Sequence, residues 1–401
     1  MQGAEVMDKR DALEVARGLV PQIREHAERT EADRQVPEQT IRELMNSGLF
    51  GILKPRIFGG TELGVSALVD VTAELAAACG STGWVYGVLA GHGWLMNLFP
   101  VKAQREVFED AAALTATVFR LSGTVTRVEG GYRLVDGQGR FCSGIDYASW
   151  VIVGCTVVSG DATPERRFFV VPRSDIEVID DWFTAGMRGT GSRSIKIADA
   201  FIPEHRSVSV EELAAGSTPG GQFHAAPIYR LPFQLVTPFS LVGVPLGIAR
   251  GAVGAFAAGL KPWVARLDEL EVVAKSATLA RIGHSGAEAD AALALVLADA
   301  ARLDVAAGSA EFSAMDRARI SRNWAYAAQT ARAAVARLFE AAGGMAIYDG
   351  SEIQRVWRDI NSAAQHFAFA WDGAMVDFGR SLFGLRPLNA GPGAPVRRRP
   401  S

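Results

Sequence analysis

Apolar positions in the first hundred residues recur at spacings of three and four. Leu13, Ala16, Val20, Ile23 and Ala27 make one helical face. Val36 and Pro37 before Glu38 predict a helix start with proline at the first helical position; Ile41, Leu44 and Met45 continue its face, and Gly48 stops it. Gly59 and Gly60 predict a loop. Val65, Leu68, Val69, Thr72 and Leu75 form another amphipathic stretch ending near Gly80. Ser81 or Thr82 is placed to cap the next helix, which runs towards Gly91. Near residue 113 the pattern changes to short β-rich runs at 114–119, 123–128, 132–135, 150–153, 168–171, 176–179 and 194–197. Glycine-rich breaks such as Asp136-Gly-Gln-Gly139 lie between them, which predicts a small sandwich or barrel of antiparallel strands. No helices alternate with these runs, so a Rossmann unit is not expected. From about residue 239 to 382 long alanine-rich helical segments follow, divided by glycines at 283–286 and 343–344, and predict a bundle. The expected division is a helical unit at 1–112, a β unit at 113–232, a four-helix bundle at 233–390 and a flexible tail at 391–401. The fold class is α+β, mainly α.

Composition adds little to this pattern and contradicts none of it. With 49% hydrophobic residues in 401, a sizeable core can be buried. A net charge of −3 gives no argument for a nucleic-acid surface. Cys79, Cys142 and Cys155 have the spacing of neither a zinc site nor a disulfide framework, and read as buried thiols in a reducing compartment. The charged, periodic start is not a signal peptide. The most apolar run, 235–260, contains Pro238, Pro245 and Arg250, and reads as a buried helix after an irregular loop rather than a membrane span. A soluble, cytoplasmic protein is expected.

The usual chemical motifs are missing. There is no phosphate-binding loop, no dinucleotide fingerprint, no H-E-x-x-H and no G-x-S-x-G. The six histidines are scattered, so no metal site is expected. What remains is a set of polar residues in apolar or glycine-rich settings. His92, Ser143, His366 and Asp349 read in the ordinary way as a core histidine, a turn hydroxyl, a helix-surface histidine and a helix cap; each also has a functional reading.

Four ordered strings support the functional reading. The block Met187-Arg-Gly-Thr-Gly-Ser-Arg193, continuing to Pro203-Glu-His-Arg206, resembles the G-x-R-G-T-G-S…V-P-x-x-R region of the acyl-CoA dehydrogenase superfamily. Gly80-Ser-Thr-Gly-Trp84 resembles the helix leading into its flavin pocket. Arg358-Asp-Ile360 with Gln365-His366 resembles the R-D-I…H segment of its flavin-dependent monooxygenases, those of the 4-hydroxyphenylacetate and secosteroid hydroxylase type. Phe141-Cys-Ser-Gly144 resembles a strand end that places a hydroxyl beside flavin N5. The resemblance covers about residues 10 to 385. Two departures stand out. The monooxygenases carry tryptophan two residues before Phe141, where this chain has Gly139. The dehydrogenases' Y-E-G motif has glutamate as base, where this chain has Asp349, one methylene shorter.

The resemblance implies an acyl-CoA dehydrogenase-like fold and the oxygenase component of a two-component monooxygenase. A separate reductase would supply reduced FAD or FMN; dioxygen would add at flavin C4a, and the hydroperoxide would hydroxylate an aromatic substrate that is phenolic, indolic or polycyclic. It implies that Ser143 bonds flavin N5 and that His366 stabilises or protonates the peroxide. His92 would activate a substrate hydroxyl and Trp84 would wall the substrate pocket. Thr190, Ser192, Arg193 and Arg250 would hold the flavin, and a homotetramer is expected. N- or S-oxygenation on this fold, and an acyl-CoA dehydrogenase or oxidase with Asp349 as base, are the alternatives. A non-catalytic scaffold that kept the fold is a third.

Overall fold

The computed structural model describes residues 7–158, 164–274, 276–306 and 312–388. The expected tail at 391–401 lies outside them. The chain begins with α1 (Lys9–Glu25), α2 (Ala27–Ala32), α3 (Glu38–Asn46), α4 (Val65–Ala78), α5 (Gly80–Met96) and α6 (Val101–Val107). Strands β1 (Thr115–Val118), β2 (Thr124–Val128), β3 (Gly131–Cys142), β4 (Trp150–Val158), β5 (Glu165–Pro172), β6 (Glu177–Ile179), β7 (Arg193–Pro203) and β8 (Ser207–Ser209) follow. Short helices α7 (Val210–Ala215), α8 (Pro219–Phe223) and α9 (Phe233–Val236) lead to α10 (Phe239–Val264) and α11 (Glu269–Ala274). The chain then forms α12 (Ser276–Ala306), α13 (Ala314–Ala342), α14 (Glu352–Ala363) and α15 (Trp371–Leu382). This is the expected order of helices, strands and helices.

Several local expectations are corrected. Pro37 is the residue before α3 rather than its first helical residue. Helix α5 starts at Gly80 after an extended Cys79 and has no side-chain cap, so Ser81 and Thr82 lie buried inside its first turn. It runs through its glycines to Met96. The glycines at 283–286 lie inside α12, where neighbouring helices hold the backbone in place. Strand β3 passes straight through the expected break at 136–139. Glycine serves close packing there: a Cβ at Gly139 would sit 2.6 Å from Val118 Cγ1, which leaves no room for a tryptophan side chain at that position. The sheet is mixed rather than purely antiparallel. Its order is β6-β7-β3-β2-β4-β5-β8; β1 and β2 both run parallel to β4, and the other pairings are antiparallel.

The helical core is built around α10. Its segment with α9 has a mean hydropathy of 1.6 over its most apolar window, enough by composition to cross a membrane, yet 61% of that window is buried inside the fold. Gly243, Gly247 and Gly251 stand four apart and face the α4 carbonyls of Val69, Ala73 and Ala77, also four apart. Only glycine permits that approach of two backbones. Gly87 brings α5 equally close to the Ser240 carbonyl of α10. The start of α4 is capped from far away: Asp304 of α12 accepts from the N–H groups of Val65 (2.6 Å) and Ser66 (3.0 Å).

Gly247→Ala would place a methyl group on the Ala73 carbonyl. It is expected to cost roughly 1–3 kcal/mol of stability, as overpacking does. Gly254→Ala, on the exposed side of α10 with nothing within 4 Å, is expected to raise stability by up to about 1 kcal/mol. Thermal denaturation of the two variants checks the contrast.

Candidate active site

Helix α5 is the platform of the site. Trp84, Val88 and His92 are spaced by four and share one face. The Trp84 indole N–H donates to Ser143 Oγ at 3.1 Å. The Trp84 ring meets that of His366 edge-on, with centroids 5.7 Å apart. Two turns further along, His92 meets Phe119 edge-on at 6.2 Å. Phe119 in turn touches Phe168 at 6.0 Å and Phe367 at 6.4 Å. The fold therefore gathers Trp84, His92, Ser143 and His366 into one aromatic-walled region.

Ser143 owes its position to the strained end of β3. Phe141 has φ +63° and Gly144 φ +75°, so the chain turns sharply on either side of the serine. The buried Ser143 hydroxyl bonds Ser192 Oγ at 2.7 Å, Ser192 bonds Thr190 Oγ1 at 2.8 Å, and Thr190 donates to the Met187 carbonyl at 2.9 Å. Thr190 and Ser192 thus form a row of hydroxyls with Ser143. The row is anchored on α14. Met187, itself at φ +55°, donates its N–H to Asp359 Oδ1 at 2.6 Å. Arg358 donates to the Ala185 carbonyl at 2.9 Å and to the Glu31 carboxylate, and Gly186 lies so close to α14 that a Cβ there would be 2.8 Å from Asp359 N. Burial pushes the Asp359 carboxyl up to about 6, opposed by the Met187 N–H.

The two histidines are neutral at physiological pH. Burial depresses both to about 4. His366 follows α14 and caps the next turn, accepting the Ala368 N–H on Nδ1 at 3.3 Å, so its proton is on Nε2 and it presents a donor. His92 is 4% exposed, and its Nδ1 has no partner. The Thr115 backbone opposes the downward shift that burial causes, and Nδ1 is left for a ligand.

Other expected residues lie elsewhere in the chain. The Arg193 guanidinium is held by Asp146 and Asp180 and is only 11% exposed, so its charge is already matched by two carboxylates. Arg250 is on the exposed side of α10, paired with Asp290 of α12 at 3.7 Å, and makes no bond to the hydroxyl row. The fold separates it from Ser143 because α10 turns its glycine face inward. Asp349 is exposed in the turn before α14, with the Gln354 amide at 3.5 Å. Reasoning from sequence missed Phe119, Phe367 and Met187, and quoted Asp359 without a role. The available signal for Asp359 was a carboxylate beside the apolar face of Ile353, Val356 and Ile360.

A flavin is compatible with these residues. His92 Nδ1, Thr115 Oγ1 and Thr117 Oγ1 are buried without partners, Thr115 and Thr117 being on one side of β1. Unpaired buried polar atoms are costly, and an aromatic ligand rich in hydrogen-bonding groups suits both them and the aromatic walls.

Comparison with known proteins agrees with this geometry. The family profile described as acyl-CoA dehydrogenase, N-terminal domain, matches residues 9–112, and that of the C-terminal domain matches residues 239–371. A pigment production hydroxylase from a Rhodococcus species is 35% identical over 94% of this chain and 97% of its own length. The flavin-dependent monooxygenase oxygenase subunit HsaA of Mycobacterium tuberculosis is 33% identical over 96% of this chain and 99% of its own. The oxygenase component of an FADH2-dependent resorcinol hydroxylase from Rhizobium is 33% identical over 92% and 93%. The crystal structure of M. tuberculosis HsaA superposes with a TM-score of 0.88 at 32% identity, covering 95% of this chain and 99% of that one. XiaF from Streptomyces, solved with FADH2 and glycerol, has a TM-score of 0.85 at 28% identity over 95% and 96%. The chain belongs to the flavin-dependent monooxygenases of the acyl-CoA dehydrogenase fold, the group that holds the oxygenase components of two-component hydroxylases.

Proposed function

We propose that this chain is the oxygenase component of a two-component system that hydroxylates a phenolic, indolic or polycyclic aromatic substrate with reduced FAD or FMN and dioxygen. A separate reductase delivers the flavin. The observation that carries the reading is the meeting of a buried imidazole with an unpartnered nitrogen (His92), an imidazole donor (His366) and a strand-end hydroxyl (Ser143) within one aromatic-walled region. When bound, reduced flavin supplies the two electrons by which one oxygen atom of dioxygen becomes water and the other enters the substrate. Ser143 holds the flavin ring at N5, and Trp84 and Phe119 wall the ring and substrate space. His92 would accept a hydrogen bond from a substrate hydroxyl, which makes the ring more electron-rich. His366 Nε2–H stands where negative charge develops on oxygen. Thr190 and Ser192 support Ser143, and Arg193 braces the loop they stand on. Arg250 reaches flavin only if a second subunit approaches α10.

We place the active form in a cytoplasmic homotetramer. Met345 (73% exposed), Phe383 (81%) and Trp371 (43%) leave a large apolar surface on the C-terminal helices, of the kind that a second copy covers. Sedimentation velocity of the full chain is expected to give a tetramer, and a monomer at micromolar concentration would refute that part.

With chemically reduced FAD and 18O-labelled dioxygen, a panel of phenols, indole and polycyclic phenols is expected to yield a product carrying one labelled oxygen. Failure of the whole panel, with flavin bleaching by an acyl-CoA instead, would overturn the reading. His92→Ala is expected to lower hydroxylation on the order of 100-fold while flavin still binds. His366→Ala is expected to divert oxygen to hydrogen peroxide, read as the ratio of peroxide to product.

The depressed histidines also set a pH dependence. His92, His366 and His224 all have folded values near 4 against 6.5 when exposed. The folded state therefore binds fewer protons than the unfolded state between those values. The histidines' contribution to stability is present in full above about pH 6.5 and is lost as pH falls towards 4. Melting temperature measured from pH 8 to 4 is expected to be flat and then fall, with a shallower fall in His92→Gln.

A further inference from the structure

The hydrogen bonds around Ser143 can run in only one direction. An indole N–H only donates, so Ser143 Oγ accepts from Trp84. A carbonyl only accepts, so the single proton of Thr190 goes to the Met187 oxygen. Thr190 must then accept from Ser192, and Ser192 from Ser143. Each hydroxyl has one proton, and the carbonyl fixes them all. The Ser143 proton is directed inward, and the atom has one remaining lone pair for a ligand.

The far end of the row cannot readily turn. Met187 is held through both of its backbone groups: its N–H by Asp359, and its carbonyl by Thr190 Oγ1, Thr190 N at 3.2 Å and Trp182 Nε1 at 3.2 Å. Ser143, Thr190 and Ser192 are 8%, 2% and 4% exposed, so within the chain water has little access to compete for these protons. The row spans three parts of the fold, from α5 through the ends of β3 and β7 to α14.

We propose that Ser192 and Thr190 are specificity-determining residues that make Ser143 an obligatory hydrogen-bond acceptor, so that the site favours a flavin whose N5 carries a proton over one whose N5 does not. Reduced flavin has N–H at that atom and meets a lone pair. Oxidised flavin has a lone pair there and meets another lone pair. The row thus selects the redox state that the reaction consumes and disfavours the state that it leaves behind. Asp359 is a positioning residue that acts through Met187. This rests on the placement of flavin N5 at Ser143 given above.

The test is the ratio of Kd values for oxidised and reduced FAD, with the full-length protein titrated aerobically with FAD and anaerobically with photoreduced FAD. In Thr190→Val the terminal bond is gone, the row can reverse, and Ser143 can donate outward. Oxidised FAD is expected to bind about five- to tenfold more tightly relative to reduced FAD than in the wild type, the loss of one mismatched hydrogen bond. Ser192→Ala frees the Ser143 proton directly and is expected to give the same shift, which covers the case in which Thr190→Val does not fold. Thr190→Ser keeps the row and is expected to keep the wild-type ratio. General damage to the pocket would weaken both forms alike, so an unchanged ratio in Thr190→Val and Ser192→Ala overturns the inference. A wild-type ratio near one, with labelled oxygen still entering the phenol panel, overturns it while leaving the oxygenase reading in place. A wild type that binds neither form and hydroxylates nothing overturns both.

Discussion

Helix α10 lies against α4 at a distance that only glycine permits, and the rest of the molecule is arranged around that contact. Gly243, Gly247 and Gly251 meet the carbonyls of Val69, Ala73 and Ala77, and Gly87 of α5 meets that of Ser240. Three helices are thereby fixed backbone to backbone, with no side chain between them to rotate or compress. The consequence for chemistry is direct. Trp84 and His92 stand beside the Gly87–Gly91 stripe on α5, so the packing that seats α5 also fixes where its working face points.

The second constraint is the seam between the sheet and α14. Residues 185–187 are held by Arg358, Asp359 and the absence of a side chain at Gly186. That seam anchors the hydroxyl row. Two positive-φ residues, Phe141 and Met187, stand at its two ends. Such strain costs about 1 kcal/mol or more at each residue and persists where the surroundings over-determine the backbone. Here the surroundings are a buried carboxylate, three donors on one carbonyl, and the indole of Trp84.

The histidines show how burial sets function without any charged partner. His92 and His366 are both neutral for the same reason, desolvation, yet they differ in what they offer. A backbone N–H at Ala368 fixes the tautomer of His366, while His92 keeps a buried ring nitrogen without a partner. Arg193 illustrates the reverse case. It sits in the expected loop, but two aspartates have already used its charge.

The sequence by itself determined the order of helices, strands and helices, the buried character of α10, and the family, because periodicity and the four ordered strings are local properties. It also named Trp84, His92, Ser143 and His366, since polar groups in apolar settings stand out along the chain. It misplaced what depends on neighbours far away. The glycines at 136–139 and 283–286 read as breaks, yet they lie inside β3 and α12, because a glycine that permits close packing looks the same in sequence as one that ends an element. The cap of α4 comes from Asp304, some 240 residues away, and no local pattern reveals it. Tertiary structure alone decided that Thr190 and Ser192 join Ser143, that Arg193 and Arg250 do not, and that Asp359 anchors the row. Hydrogen-bond direction is a property of groups brought together in space, and the chain holds those groups at positions 84, 143, 187, 190, 192 and 359.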